Sequence, residues 1–115
     1  MLTFLLAALL LDPTPREPLE LTVRPRAANS PATIRVSARI DRHDANRRLT
    51  IRADSVGFFR SSSISLDGAE SVGALTRVFN GLPPGEYEIE AILERNDGTR
   101  VIKRSAVKVV GRERR

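Results

Sequence analysis

Residues 81–110 read GLPPGEYEIEAILERNDGTRVIKRSAVKVV, and the fold turns on how this stretch is understood. Its first run alternates: Tyr87, Ile89, Ala91 and Leu93 fall on one side, Glu86, Glu88, Glu90 and Glu94 on the other. A repeat of two is that of an extended strand with one buried face. Asn96-Asp97-Gly98 then supplies turn residues, which predicts a hairpin with the run that ends in Val107 and Val109. Ile102 is out of phase with those valines, so a bulge near Arg104 or Ser105 is expected to absorb the slip. Four glutamates on one strand of a basic protein could suggest catalysis or metal binding. The alternation points instead to a wet face, with Ile92 as a single exposed apolar side chain among the acids.

Upstream the same repeat recurs. LELTV (19–23) sets Leu19, Leu21 and Val23 inward, and ATIRVSARID (32–41) does so with Ile34, Val36, Ala38 and Ile40. In RRLTIRAD (47–54), Leu49, Ile51 and Ala53 face in while Arg48, Thr50 and Arg52 face out. RPRAANSP (24–31) breaks the pattern with two prolines, and DRHDAN (41–46) and DGAES (67–71) are polar turns. SVGFFRSSSISL (55–66) reads as one short strand ending at Ile64 and Leu66. VGALTRVFN (72–80) is a further strand whose inward set is unassigned. Seven short strands separated by turns, with no helical repeat, predict an all-β, seven-stranded antiparallel sandwich of two sheets.

Leu82, Pro84, Gly85 and Tyr87 place a tyrosine just after a proline–glycine corner. This resembles the tyrosine corner of immunoglobulin-like sandwiches at the turn into their strand F. Over residues 19–110 the chain is similar to fibronectin type III and bacterial Ig-like modules, without the cysteine pair and core tryptophan of antibody domains. The resemblance implies that the glutamate strand lies between strands C and G. Arg48 and Arg52 would then flank it on one side, Arg104 and Lys108 on the other, as cross-strand charge pairing favours.

Composition narrows the function. The 115 residues carry 17 Arg and 2 Lys against 14 acids, a net charge of +5, and no cysteine. Disulfides, thiolate chemistry and cysteine-bound zinc are therefore excluded. Charge of this sign can attract nucleic acid or another polyanion, but the arginines are spread along strands, so nucleic acid is not the expected partner. Residues 1–11, MLTFLLAALLL, are apolar except for Thr3, and about 16 Å as a helix is too short to span a bilayer. They suit a secretory leader or an uncleaved anchor able to touch a membrane, or else a packed first element. A proline-rich spacer (12–18) follows, then the sandwich (19–110) and a basic tail (111–115). This order predicts an exported protein, periplasmic, extracellular or tethered to the envelope.

Candidate site residues gather in the loops. His43, Asp44, Asn46, Asp67, Asn96 and Asp97 are expected at one end of the sandwich as a possible binding surface. Asp41, Asp44 and Asp97 are weak candidates for metal, with a spacing that matches no calcium loop. Ser61, Ser62, Ser63 and Ser65 lack the elbow motif of a nucleophile. No enzyme activity, cofactor or small-molecule substrate is expected. The reading is a module for protein interaction, adhesion or spacing, partnered by another protein or an envelope component. The alternative is a polyanion-binding sandwich using Arg24, Arg35 and Arg39.

Overall fold

Aliphatic side chains at every second position lay this chain out as strands, because only an extended backbone puts them all on one face. The computed structural model describes residues 17–70 and 72–111. The strands are β1 Leu19–Arg24, β2 Ala27–Asn29, β3 Ala32–Ile40, β4 Asn46–Ser55, β5 Phe58–Ser65, β6 Ala74–Leu82, β7 Gly85–Arg95 and β8 Arg100–Val110. They form a three-stranded sheet, β1-β3-β6, and a five-stranded sheet, β2-β8-β7-β4-β5. This is the expected immunoglobulin-like sandwich, with the glutamate strand β7 between β4 and β8. The leader (1–11), most of the spacer and all but the first residue of the tail lie outside the described residues.

Two strand readings need correction. Residues 27–29, inside the stretch where the prolines predict a break, form β2, which pairs parallel with Lys108–Val110 of β8. Pro25 and Pro31 stand on either side and, lacking an N–H, keep the strand short. The serine-rich segment is not a short strand. β5 pairs with β4 over eight residues, from Ser55↔Phe58 to Arg48↔Ser65, and Leu66 is buried beyond its end.

The core is aliphatic and follows the alternation. Leu19, Ile34, Val36, Leu49, Ile51, Ile89 and Leu93 are wholly buried between the sheets, each contributing about 1.5–3 kcal/mol of transfer free energy. β6 faces inward with Leu75, Arg77, Phe79 and Leu82; the three apolar ones pack in or against the core. Arg77 instead closes the flank between β6 and β5, its Nε donating to Ser62 Oγ at 2.9 Å.

The bulge expected near Arg104 or Ser105 is absent. Pairing of β7 with β8 runs unbroken from Gly85↔Val109 to Glu94↔Arg100. Odd-numbered residues of β8 stay inward throughout, so Lys103 and Ser105 take inward positions. That is tolerable because β8 runs beside β1 at the rim, where Lys103 Nζ reaches Glu17 Oε1 at 2.6 Å. Ile102 is turned outward, opposite Ile92. The register shifts that do occur lie between β3 and β6 at Ala32/Ile34 and between β4 and β7 at Asn46/Arg48.

The tyrosine corner is present. Tyr87 Oη donates to the Pro83 carbonyl at 2.6 Å, and both Tyr87 and Leu82 are buried. Burial raises the phenol above its ordinary pKa, which keeps the donor protonated. Phe58 of β5 meets the Tyr87 ring edge to face, with centroids 5.5 Å apart. Gly85 has φ +155°, and a Cβ there would stand 2.9 Å from Ser55 Oγ, so only glycine fits the corner. Tyr87→Phe leaves the Pro83 carbonyl without this donor and is expected to cost about 1–2 kcal/mol in urea unfolding, with the denaturant slope unchanged. A loss within measurement error would show that the bond pins nothing.

Candidate functional site

The outward face of the five-stranded sheet carries most of the charge, and strand register arranges it in rows. One row reads Arg48–Glu94–Arg100 and another Arg52–Glu90–Arg104. Each acid of β7 in these rows stands between two cations, as the charge pattern predicts. Glu90 is not wet, however. It is 9% exposed, with Arg52 Nη2 at 2.6 Å from Oε1 and Arg104 Nε at 2.7 Å from Oε2. Hydrogen bonds from Arg52, then Arg104, outweigh burial and lower its pKa. Ile92 is likewise buried rather than exposed. It stands mid-sheet between Thr50 and Ile102, and the Arg–Glu rows on both sides close around it with long side chains.

The pattern then fails in one row. Asp54, Glu88 and Ala106 stand side by side, so two acids adjoin and an alanine occupies the place where a cation would be. Arg104 reaches this row only obliquely, its Nε 3.8 Å from Glu88 Oε2. The small Ala106 helps to leave an open groove of about 770 Å³, lined also by the acids Asp54, Glu86 and Glu88, by Val56, and by the cations Arg26 and Lys108 at its other side. At its rim the β4–β5 turn holds Val56 fully exposed, and Phe59, opposite Asp54, is 58% exposed. Gly57 at φ +81° lets the turn close in two residues. None of these groove features was singled out from the sequence. The signal was there: outward positions of β8 read Arg100, Ile102, Arg104, Ala106 and Lys108, with Ala106 the small residue between two cations, and Val-Gly is an apolar choice for a turn tip.

The loop candidates do share one end. Asn96 N–H donates to the Ala45 carbonyl at 2.8 Å, and Leu66 N–H to the Arg47 carbonyl at 2.8 Å. Asp44 and Asp67 line one shallow depression with Arg47 and Glu70. His43 Nδ1 accepts from Ala45 N–H at 3.0 Å. Asp97 Oδ1 accepts from Thr99 N–H at 2.9 Å, and its pKa is lowered chiefly by the bond to the Thr99 side chain. Asn46 is buried, its Nδ2 donating to the Asp41 carbonyl and its Oδ1 accepting from Arg95 Nε, both at 3.0 Å. It clasps the loops from within rather than presenting a surface. Among the described residues, no three His, Cys, Asp or Glu come together as a metal would require.

On the opposite sheet, Arg24 and Arg35 stand directly across from each other. Arg39, the third arginine of the polyanion reading, is bound to Glu20, with Nη2 at 3.0 Å from Oε1. No helix among the described residues is long and apolar enough to cross a membrane.

No protein-family model matches this chain, and no curated protein matches it in sequence. Solved structures do share its shape. A superoxide reductase (neelaredoxin) from Ignicoccus hospitalis superposes with TM-score 0.63 at 13% identity, covering 81% of this chain and 80% of that one. The PmoD soluble domain from a Methylocystis species superposes with TM-score 0.54 at 12% identity, covering 79% and 90%. At such identities the likeness is one of fold. It nonetheless corrects the expectation of no enzyme activity: superoxide reductases are enzymes, so absence of catalysis does not follow from this architecture.

The Glu90 pair makes a test of the charged rows. A lowered folded-state pKa means that Glu90 stabilises the fold above the unfolded value of about 4.3, and that this is lost as pH falls through the lowered one. Because both arginines are partly exposed, Glu90→Gln is expected to cost only about 1–2 kcal/mol at pH 7. It should also flatten the acid limb of stability measured by chemical denaturation between pH 7 and 3. An unchanged acid limb would contradict the pairing.

Proposed function

We propose that the sandwich is a protein-interaction module whose partner enters the groove beside the β4–β5 turn. The observation that carries this reading is the broken charge row. In a face where acids of β7 otherwise meet cations, Asp54 and Glu88 stand together beside exposed Val56 and Phe59. A segment that fits such a surface carries a lysine or arginine to complete the row, and apolar residues to cover the valine and phenylalanine. Desolvating those two side chains supplies affinity, while the missing cation supplies orientation and choice of partner. The resemblance to fibronectin type III and bacterial Ig-like modules, supported by the tyrosine corner, agrees with such a role. Export and a place at the envelope belong to the same proposal, supported by the apolar segment 1–11 and the prolines after it.

Selection from a randomised eight-residue peptide library tests the reading. Bound peptides are expected to combine a basic residue with neighbouring apolar ones. Glu88→Lys should weaken their binding at least tenfold, and Val56→Ser about threefold. Higher salt should weaken binding to the wild type more than to Glu88→Lys. Selected peptides without basic residues, or equal binding to Glu88→Lys, would remove the groove from consideration.

A further inference from the structure

A sheet edge is a row of unpaired backbone donors and acceptors, and proteins blunt such edges with charge, proline or bulges. Three edges of this sandwich follow the rule. β1 carries Glu20 and Arg24 between Pro18 and Pro25, β2 is three residues long, and β6 is bulged against β3. β5 does not. Its eight residues, FFRSSSIS, contain no proline and no acid, and no strand lies on its outer side among the described residues. Its pairing with β4 runs without a register shift, so the edge is straight. The one charge, Arg60, is turned back on its own strand, with the guanidinium 5.3 Å from the centroid of the Phe58 ring.

The strand is also complementary to itself. Two copies pairing antiparallel about a two-fold axis normal to the sheet keep like faces together, so opposed residues share parity. With the axis at Ser61, Phe58 meets the partner's Ile64, Arg60 meets the partner's Ser62, and Ser61 meets its own copy. Moving the axis one residue toward β4's turn opposes Arg60 to its own copy, which like-charge repulsion disfavours. Moving it one residue the other way sets Arg60 against Ile64. Of these registers the central one alone opposes Phe58 to Ile64, and it brings Arg60 beside the Ser62 hydroxyl, which accepts from Arg77 Nε at 2.9 Å and has a second lone pair for another donor.

We propose that two copies of this chain associate through β5, centred on Ser61, joining their five-stranded sheets into one ten-stranded sheet. This goes beyond the groove reading and does not depend on it.

The absence of cysteine gives a clean test on the full chain. Ser61→Cys puts two thiols at the axis, about 5.5 Å apart at Cα, which a disulfide can bridge. Ser63→Cys, on the same face two residues along, puts them about 14 Å apart and out of reach. Under mild oxidation the first should form covalent dimer at least tenfold faster than the second. Ser61→Lys, which opposes like charges, should raise the dimer dissociation constant in sedimentation equilibrium at least tenfold, with the circular dichroism spectrum unchanged. Equal cross-linking at both positions, or a dissociation constant unmoved by Ser61→Lys, would overturn the proposal.

Discussion

The bond from the Tyr87 hydroxyl to the Pro83 carbonyl fixes the point where the chain leaves the three-stranded sheet and enters the five-stranded one. Strand β7 starts there, and β4 and β8 are registered on β7, so the phase set at the corner is inherited by three strands. A slip of one residue would send Ile89 and Leu93 to water and the glutamates into the core. The corner itself tolerates little change: Gly85 has no room for a Cβ against Ser55, and Phe58 closes over the phenol ring. Position, more than raw energy, is what this cluster supplies.

Charge then repeats the same register on the outer face. A buried carboxylate held by two guanidinium groups adds modest net stability, since its desolvation offsets much of the attraction. Its larger effect is discriminatory, because a shifted strand would set Glu90 against apolar neighbours. Seen this way, the Asp54–Glu88–Ala106 row is conspicuous for its chemistry. The same neighbours that flank Glu90 and Glu94 with cations leave Glu88 beside Asp54 and Ala106, with Arg104 reaching it only obliquely.

How much of this could be read from the residues follows from what each signal encodes. Alternation gave the inward sets of β1, β3, β4 and β7, because repeat-two burial is a local property. The corner was legible from Leu82 to Tyr87 because its bond is local too. Failures came where tertiary placement overrode pattern. Ile102 and Val107 appeared to need a bulge, since nothing in the sequence reveals that β8 meets β1 at the rim, where Lys103 can face inward at little cost. Alternation puts Glu90 and Ile92 on the outer face, but it tells which face a residue joins, not how deeply its neighbours cover it. β2 was hidden between prolines. The groove depends on three strands meeting, and only the interrupting Ala106 hinted at it.

The seam between Arg77 and Ser62 has a mechanical consequence. The two layers adhere chiefly through interlocking aliphatic side chains, but along the β5–β6 flank the guanidinium–hydroxyl bond of Arg77 and Ser62 spans the opening. Water can replace that bond at small cost, whereas it cannot replace the buried aliphatic side chains of the core, Ile34 and Leu93 among them. Under heat or tension the laminate therefore peels from this margin first, while the hinge of the opening lies on the far side, where β1 and β8 adjoin.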